Sequence, residues 1–569
     1  MASRISLLVM VAVFGTPSSA VRPHCPFATL AFAPPGTSRR RGATSAPRHA
    51  TTAPPPEQRD ISTVRELDEA FSAADAAASL RGGGPTIFRA GPHDDLLSSI
   101  SVVGRTQSIG DPSLPDFVHP VVQLLHSRRR SGSLPTDPRS PSDRRADGAR
   151  VALAIEGGGM RGCVSAGMAG ALNHLNLTDA VDIVYGSSAG SLIGAYFLTR
   201  QLPWFGPEVY YDSLTTAGRR FIDTRRLMRT LGLGLLNPRL LRDVLTRRMG
   251  KPVLDLSYLL VETVQFRKPL NWTKFLEVNE RQPLKIVASN LRTEQSVVLG
   301  TEEGSFSDLA GMAGCMHASM LLPGIAGPVM GMTTSPNGSG GTSRMELLDK
   351  YHAGRRRGGD DDNAFAPPPV EPLVDALLYE PLPYISALAE GATHVVVLRT
   401  RKDGVDVSGK SSIFERLISF RFLMRKNKVP AVFRYMRRHA HKKRYAEDVL
   451  LMNHHAMPPG ELGRAEDEEG QFLLPIALPP AEEDVVRLET RREAIFHGVR
   501  MGFARAYDAL VEDVSERGRG WEVARECYPD EIMEYDPNEI DAVGEAAFAV
   551  YLKKKAEELR LSRIDPAQQ

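Results

Sequence analysis

Along the middle of the chain, apolar residues fall into two arrangements, short unbroken runs and runs spaced by three and four, with glycines between them. Residues 151–155, Val-Ala-Leu-Ala-Ile, form an unbroken run of the kind a strand buried on both faces requires. Gly157-Gly158-Gly159-Met160-Arg161-Gly162 follows as a turn, after which Val164, Met168, Ala171, Leu172 and Leu175 recur at helical spacing. The pattern then repeats. Residues 181–185 predict a second strand, Gly186-Ser187-Ser188-Ala189-Gly190 a sharp turn, and residues 191–200 an apolar helix. A right-handed crossover lays these two strands parallel in one sheet. Further strands are expected at 285–289, 296–299, 372–374, 394–398 and 472–477, and helices at 308–322, 381–391 and 481–510. Residues 202–282 read as mixed and largely helical. Strands alternating with helices predict an α/β layered fold around a mostly parallel sheet.

Outside this region the pattern weakens. Arg4 precedes an apolar run, Ser18-Ser19-Ala20 resembles a cleavage site, and no Asp or Glu occurs from 21 to 56, where five arginines do. Residues 1–56 therefore read as a signal and transit presequence. With Ala31-Phe32-Ala33-Pro34 it resembles the bipartite presequences of algae with complex plastids, so plastid import is expected, with secretion or mitochondrial entry as alternatives. Residues 57–150 are expected to be a mostly disordered extension: a helix candidate at 63–80, a short docking helix at 120–126, and an Arg-, Ser- and Pro-rich solvated linker at 128–150. The folded domain is then expected over 151–400, interrupted by a disordered insertion at 331–369 rich in Gly, Ser, Arg, Asp and Pro. Residues 401–569 read as a basic helical region, a strand and long helices packing on that domain.

Composition narrows the chemistry. A net charge of +2 over 569 residues does not call for nucleic acid, so any basic surface is local. The four cysteines, Cys25, Cys163, Cys315 and Cys527, are far apart with no C-x-x-C pair, and Cys163 and Cys315 read as small buried residues. No metal or cofactor motif is present; Asp360-Asp361-Asp362 belongs to the insertion rather than to a calcium loop.

Two chemistries compete for the glycine turns. Gly157 to Gly162 fits G-x-G-x-x-G, but a dinucleotide site needs an acidic residue at the far end of the next strand, whereas Asp182 stands at its start and the far end carries Ser188. Both turns should open on the sheet's C-terminal edge. There Ser188 is a nucleophile candidate in G-x-S-x-G, and the amides of Gly158, Gly159 and Ala189 are oxyanion donors. Arg161 either braces the loop or attracts an anion. His174, His317 and His394 lie in a helix, a helix and a buried strand, and read as structural. Asp375, at the end of an apolar strand, reads either as the serine's base or as a turn-capping aspartate.

These residues resemble the patatin-like phospholipases. The Gly-Gly-Gly-Met-Arg-Gly stretch matches that family's oxyanion motif, Gly186 to Gly190 its nucleophile motif, Ala318-Ser319 through Pro323-Gly324 its helix end, and Leu373-Val374-Asp375 with the following helix and strand its aspartate segment. The region after 400 is similar to a bacterial branch. The resemblance implies a three-layer fold with helices on both faces of the sheet. It also implies a Ser-Asp dyad without histidine, Ser188 as nucleophile and Asp375 as base, hydrolysing lipid acyl esters without a cofactor. It assigns the oxyanion hole to Gly157, Gly158, Gly159, Arg161, Gly162 and Ala189, and the elbow to Gly186 and Gly190. One departure is Asp375-Ala376-Leu377, where the family has D-G-G or D-G-A. A catalytically silent lipid-binding protein and a nucleotide-binding oxidoreductase are the alternatives. Residues 412–444 interleave aromatic and aliphatic residues with many Lys and Arg, a composition suited to peripheral contact with anionic membrane.

Overall fold

A computed structural model describes residues 59–80, 92–97, 99–102, 104–114, 116–223, 252–322, 325–333, 343–348, 370–404, 423, 429–458 and 471–562. The apolar runs become strands. β1 (Arg59–Asp60) and β2 (Ile100–Ser101) pair by themselves. The main sheet holds β3 (Val151–Ile155), β4 (Ile183–Ser187), β5 (Leu284–Asn290), β6 (Gln295–Leu299), β7 (Val329–Thr333), β8 (Arg344–Leu348), β9 (Val370–Val374), β10 (His394–Leu398) and β11 (Phe472–Ile476). Its order is β11-β10-β3-β4-β5-β9-β7-β8, with β6 paired to β5.

Alternation along the strands divides the core. Val151, Leu153 and Ile155 of β3, with Val396 and Leu398 of β10, face one cluster. That cluster includes residues of α3 (Pro120–Ser131), α4 (Gly162–His174), α5 (Ala189–Leu198), α7 (Leu309–Met320), α11 (Arg492–Leu510) and α12 (Gly520–Cys527). Ala152, Ala154, Val395 and Val397 face the other, with α1 (Val64–Leu80), α8 (Tyr384–Ala389) and α10 (Ala440–Ala456). The result is the expected three layers, in which each fully buried Val or Leu contributes about 1.5–3 kcal/mol. Of the remaining helices, α2 (Pro92–Leu97) adjoins α1, α6 (Trp272–Asn279) precedes β5, α9 (Pro430–Arg437) precedes α10, and α13 (Ala547–Ser562) is the last.

Four points refine or correct these expectations. First, the sheet is parallel from β11 to β5, as expected, and carries a wing of β6, β7, β8 and β9 that run antiparallel to their neighbours. The few residues between β5 and β6 allow a hairpin but no crossover. Second, residues 128–150 are not a solvated linker. Arg128 and Arg145 are buried and donate to the two oxygens of buried Asp182 at 2.7 and 2.6 Å, and Asp147 accepts from Arg128 at 2.7 Å. Arginine-rich composition reads as solvated until its carboxylate partner is located. The extension upstream is also tied in: Thr106 bonds through its amide and hydroxyl to buried Asp403, and Arg505 donates to the Thr106 and Ile109 carbonyls at 2.7 Å. Third, the supposed insertion contains the end of β7 and all of β8; residues 334–342 and 349–369 lie outside the described residues. Fourth, helix α11 begins at Arg492 rather than near 481, because residues 481–491 cross over the first glycine turn and bond to it.

Of the basic segment, 412–422 and 424–428 lie outside the described residues. In the rest, Leu423, Val429, Val432 and Phe433 are buried against Val329 and Val374, so this part of the segment packs on the sheet. Arg438 and Lys443 pair with Asp75 and Asp68 of α1. Among the described residues no helix is long and apolar enough to cross a membrane.

Candidate active site

Two strands reach the same edge of β5 from opposite directions. Ser187 pairs with Val287 in the parallel β4 ladder, and Val374 pairs with Ser289 in the antiparallel β9 ladder. Because β6 fills the other edge of β5 across both positions, β4 and β9 end facing each other, two residues or ~7 Å apart along β5. The residues that follow these ends are Ser188 and Asp375.

Ser188 has φ 51° and ψ −124°, and α5 begins at the next residue. For a non-glycine residue that conformation costs about 1–3 kcal/mol and persists only where its surroundings enforce it. Here the Ser188 amide donates to the Ser319 hydroxyl at 2.7 Å, which in turn donates to the Val287 carbonyl. The Ser191 hydroxyl donates to the Ser188 carbonyl at 2.6 Å. The first glycine turn lies directly against the serine: a Cβ on Gly157 would stand 2.5 Å from the Ser188 Cβ. Gly186 and Gly190 flank the serine, Gly186 at the end of β4 and Gly190 in the first turn of α5.

The glycine turn presents amides. Glu156 N–H donates to Leu398 and Met160 N–H to the Arg487 carbonyl at 3.0 Å, whereas those of Gly158 and Gly159 make no hydrogen bond among the described residues. Gly159 has φ 62°, and a Cβ there would lie 2.7 Å from the Arg487 carbonyl oxygen, so only glycine fits this bend. Gly162 opens α4 beside the Tyr210 hydroxyl. The Arg161 side chain is buried behind Gly158 and does not line the cavity; its Nη1 lies 3.9 Å from Asp484. It braces the loop from behind. Glu156, just before the glycines, accepts from Thr400 N–H at 2.6 Å and the Tyr445 hydroxyl at 2.9 Å, which fixes the strand's exit.

The Asp375 amide donates to Leu321 at 3.1 Å, and one carboxylate oxygen accepts from Leu377 N–H at 2.8 Å. Both sequence readings of this aspartate thus describe one residue, a turn cap that also faces the serine's cavity. Burial pushes its pKa up to about 6, against the opposing pull of the Leu377 amide and of the positive charge on Arg487. Ala376, where a glycine is usual, does not have a positive φ and is buried in the second core cluster, so this turn does not require glycine.

Ser188, Asp375, the glycine turn, Ala189 and Arg487 line one cleft. Its remaining wall is apolar, with Leu214, Phe221, Leu254, Leu259, Met320 and Ile325. The structure shows no hydrogen bond between the Ser188 hydroxyl and Asp375. Among the described residues no histidine lines the cleft. His174 packs edge-on against Phe503, His394 stacks on Phe472, and burial pushes His317 down to about 4. Among the described residues no three His, Cys, Asp or Glu side chains converge as ligands for a cation. Asp182, the acid a dinucleotide site would need, is saturated by two arginines at the opposite end of β4, and the oxidoreductase reading falls with it. Sequence reasoning missed Glu156 and Arg487. The first was legible as a lone charge between an apolar run and glycines; the second carries no local signal.

A family model described as patatin-like phospholipase matches residues 153–353. That span covers both glycine turns and Ser319 and stops before β9 and Asp375. No curated protein matches the chain.

Proposed function

From the match of residues 153–353 to a patatin-like phospholipase model we propose a serine lipid acyl hydrolase working through a Ser188–Asp375 dyad. Ser188 Oγ attacks the acyl carbonyl as Asp375 takes its proton. The oxyanion is held by the amides of Gly158, Gly159 and Ala189, each such donor typically being worth about 3–4 kcal/mol. Collapse passes the proton from Asp375 to the leaving alcohol. Water, deprotonated by the same carboxylate, then releases the fatty acid. The apolar wall of the cleft suits the acyl chain.

The observation that carries this reading is the convergence of β4 and β9 on one edge of β5, in a cleft that holds an aspartate whose pKa is raised and, among the described residues, no histidine. A pKa near 6 leaves Asp375 ionised at neutral pH yet more basic than an exposed carboxylate. Ser188→Ala and Asp375→Asn are each expected to lower kcat on a phospholipid at least 10³-fold, with circular dichroism unchanged. Wild-type turnover in either variant would remove the dyad. Labelling by a fluorophosphonate, expected in the wild type and lost in Ser188→Ala, separates the enzyme from a silent lipid-binding protein. We further propose that residues 412–444 contact anionic membrane, through exposed cations such as Arg434 and Arg437, and that residues 1–56 direct plastid import. A fluorescent fusion of those first residues found outside the plastid would reject the latter.

A further inference from the structure

Three guanidiniums gather at the polar end of the cleft without matching acceptors. Arg487 lines the cleft beside Ser188 and Asp375, and among the described residues its side chain has no hydrogen-bond or ion-pair partner. Arg161, buried behind Gly158, leaves Nε and Nη2 without acceptors, and Arg401, whose guanidinium lies 4.7 Å over the Tyr445 ring, leaves Nε without one. The nearby carboxylates do not answer them. Glu156 is engaged by Thr400 and Tyr445, Asp375 by Leu377, and among the described residues Asp484 reaches only Arg161, at 3.9 Å. Burial and the two neighbouring arginines push Arg487 down to about 9, so the three sit in one another's field. A guanidinium has five donors in a planar fork that matches phosphate, and burying one unpaired is costly. Arg487 alone of the three faces the open cleft. Its main chain holds Met160, so its position relative to the oxyanion loop is fixed.

We propose that Arg487 reads a phosphate group on the alcohol side of the scissile ester, with Arg161 and Arg401 supplying the positive field behind it. This rests on the hydrolase reading and assigns headgroup selectivity to one side chain: Arg487 would favour acyl esters of phosphate-bearing glycerolipids over galactolipids or triacylglycerols.

The test compares full-length wild type, Arg487→Gln and Arg487→Lys on mixed micelles of phosphatidylglycerol or monogalactosyldiacylglycerol with the same acyl chains. The wild type is expected to prefer the phospholipid. In Arg487→Gln that preference, as a ratio of kcat/KM values, should fall at least tenfold, chiefly through KM, and Arg487→Lys should recover part of it. Inorganic phosphate that inhibits wild type and Arg487→Gln differently, with no lipid preference to lose, would assign the subsite to free phosphate instead of a headgroup. Equal loss on both lipids, or no loss, overturns the proposal. If the wild type cleaves neither lipid, the hydrolase reading fails by itself. Vesicle binding by Ser188→Ala, with and without Arg487→Gln, then still reports whether Arg487 discriminates phosphatidylglycerol from galactolipid; equal binding overturns it.

Discussion

As the base of the proposed dyad, Asp375 would link turnover and stability to pH in opposite senses. Burial pushes its carboxyl up to about 6, so the acyl transfer rate is expected to fall as pH drops below about 6, tenfold for each further pH step once the base is protonated. A pH–rate profile of kcat/KM on a soluble ester checks this, and a limb near 4 would contradict the buried base. Stability runs the other way. The folded state binds this proton more tightly than the unfolded chain, so stability attributable to Asp375 is lost as pH rises from about 4 to 6. At pH 8, Asp375→Asn is therefore expected to be more stable than wild type, by up to about 3 kcal/mol, in urea denaturation. At this scale the sequence was informative where a residue's neighbours in the chain define its role. Ser188 and its flanking glycines, and Asp375 after an apolar run, could be read directly. Arg487 could not, because its meaning comes from a glycine turn more than 300 residues earlier.

Among the elements, Ser319 ties helix α7 to both the serine turn and β5. Ser319→Ala leaves the Ser188 amide without its acceptor, and a loss of about 1–3 kcal/mol together with reduced kcat is expected. Thermal melts and turnover of one preparation check both. The strands on the parallel side were legible because uninterrupted apolar runs between glycines admit few other readings. In the antiparallel wing β6 and β9 could be read from their apolar runs but β7 and β8 could not: β8 has exposed and half-buried residues, and its flanks are Gly- and Arg-rich in composition. Residues 481–510 look continuous in helical spacing, yet their first part is held over the glycine turn instead.

For the molecule as a whole, the folded unit begins far upstream of the first motif. A chain starting at Val151 would keep Asp182 buried without Arg128 and Arg145, and breaking such a buried pair typically costs about 3–5 kcal/mol. We expect that chain to be insoluble or markedly destabilised, while one starting at Arg59 folds; comparison of soluble yield and urea midpoints decides it. Composition hid this boundary because buried ion pairs and solvated charge look alike in a sequence. The bond from Met160 to the carbonyl of Arg487 has a temporal implication. Synthesis delivers Ser188 and Asp375 long before Arg487, whose carbonyl holds the glycine turn, so a chain truncated before Arg487 is expected to lack the oxyanion hole of the proposed mechanism. The proposed activity would thereby be withheld until Arg487, late in the 569-residue chain, has been made.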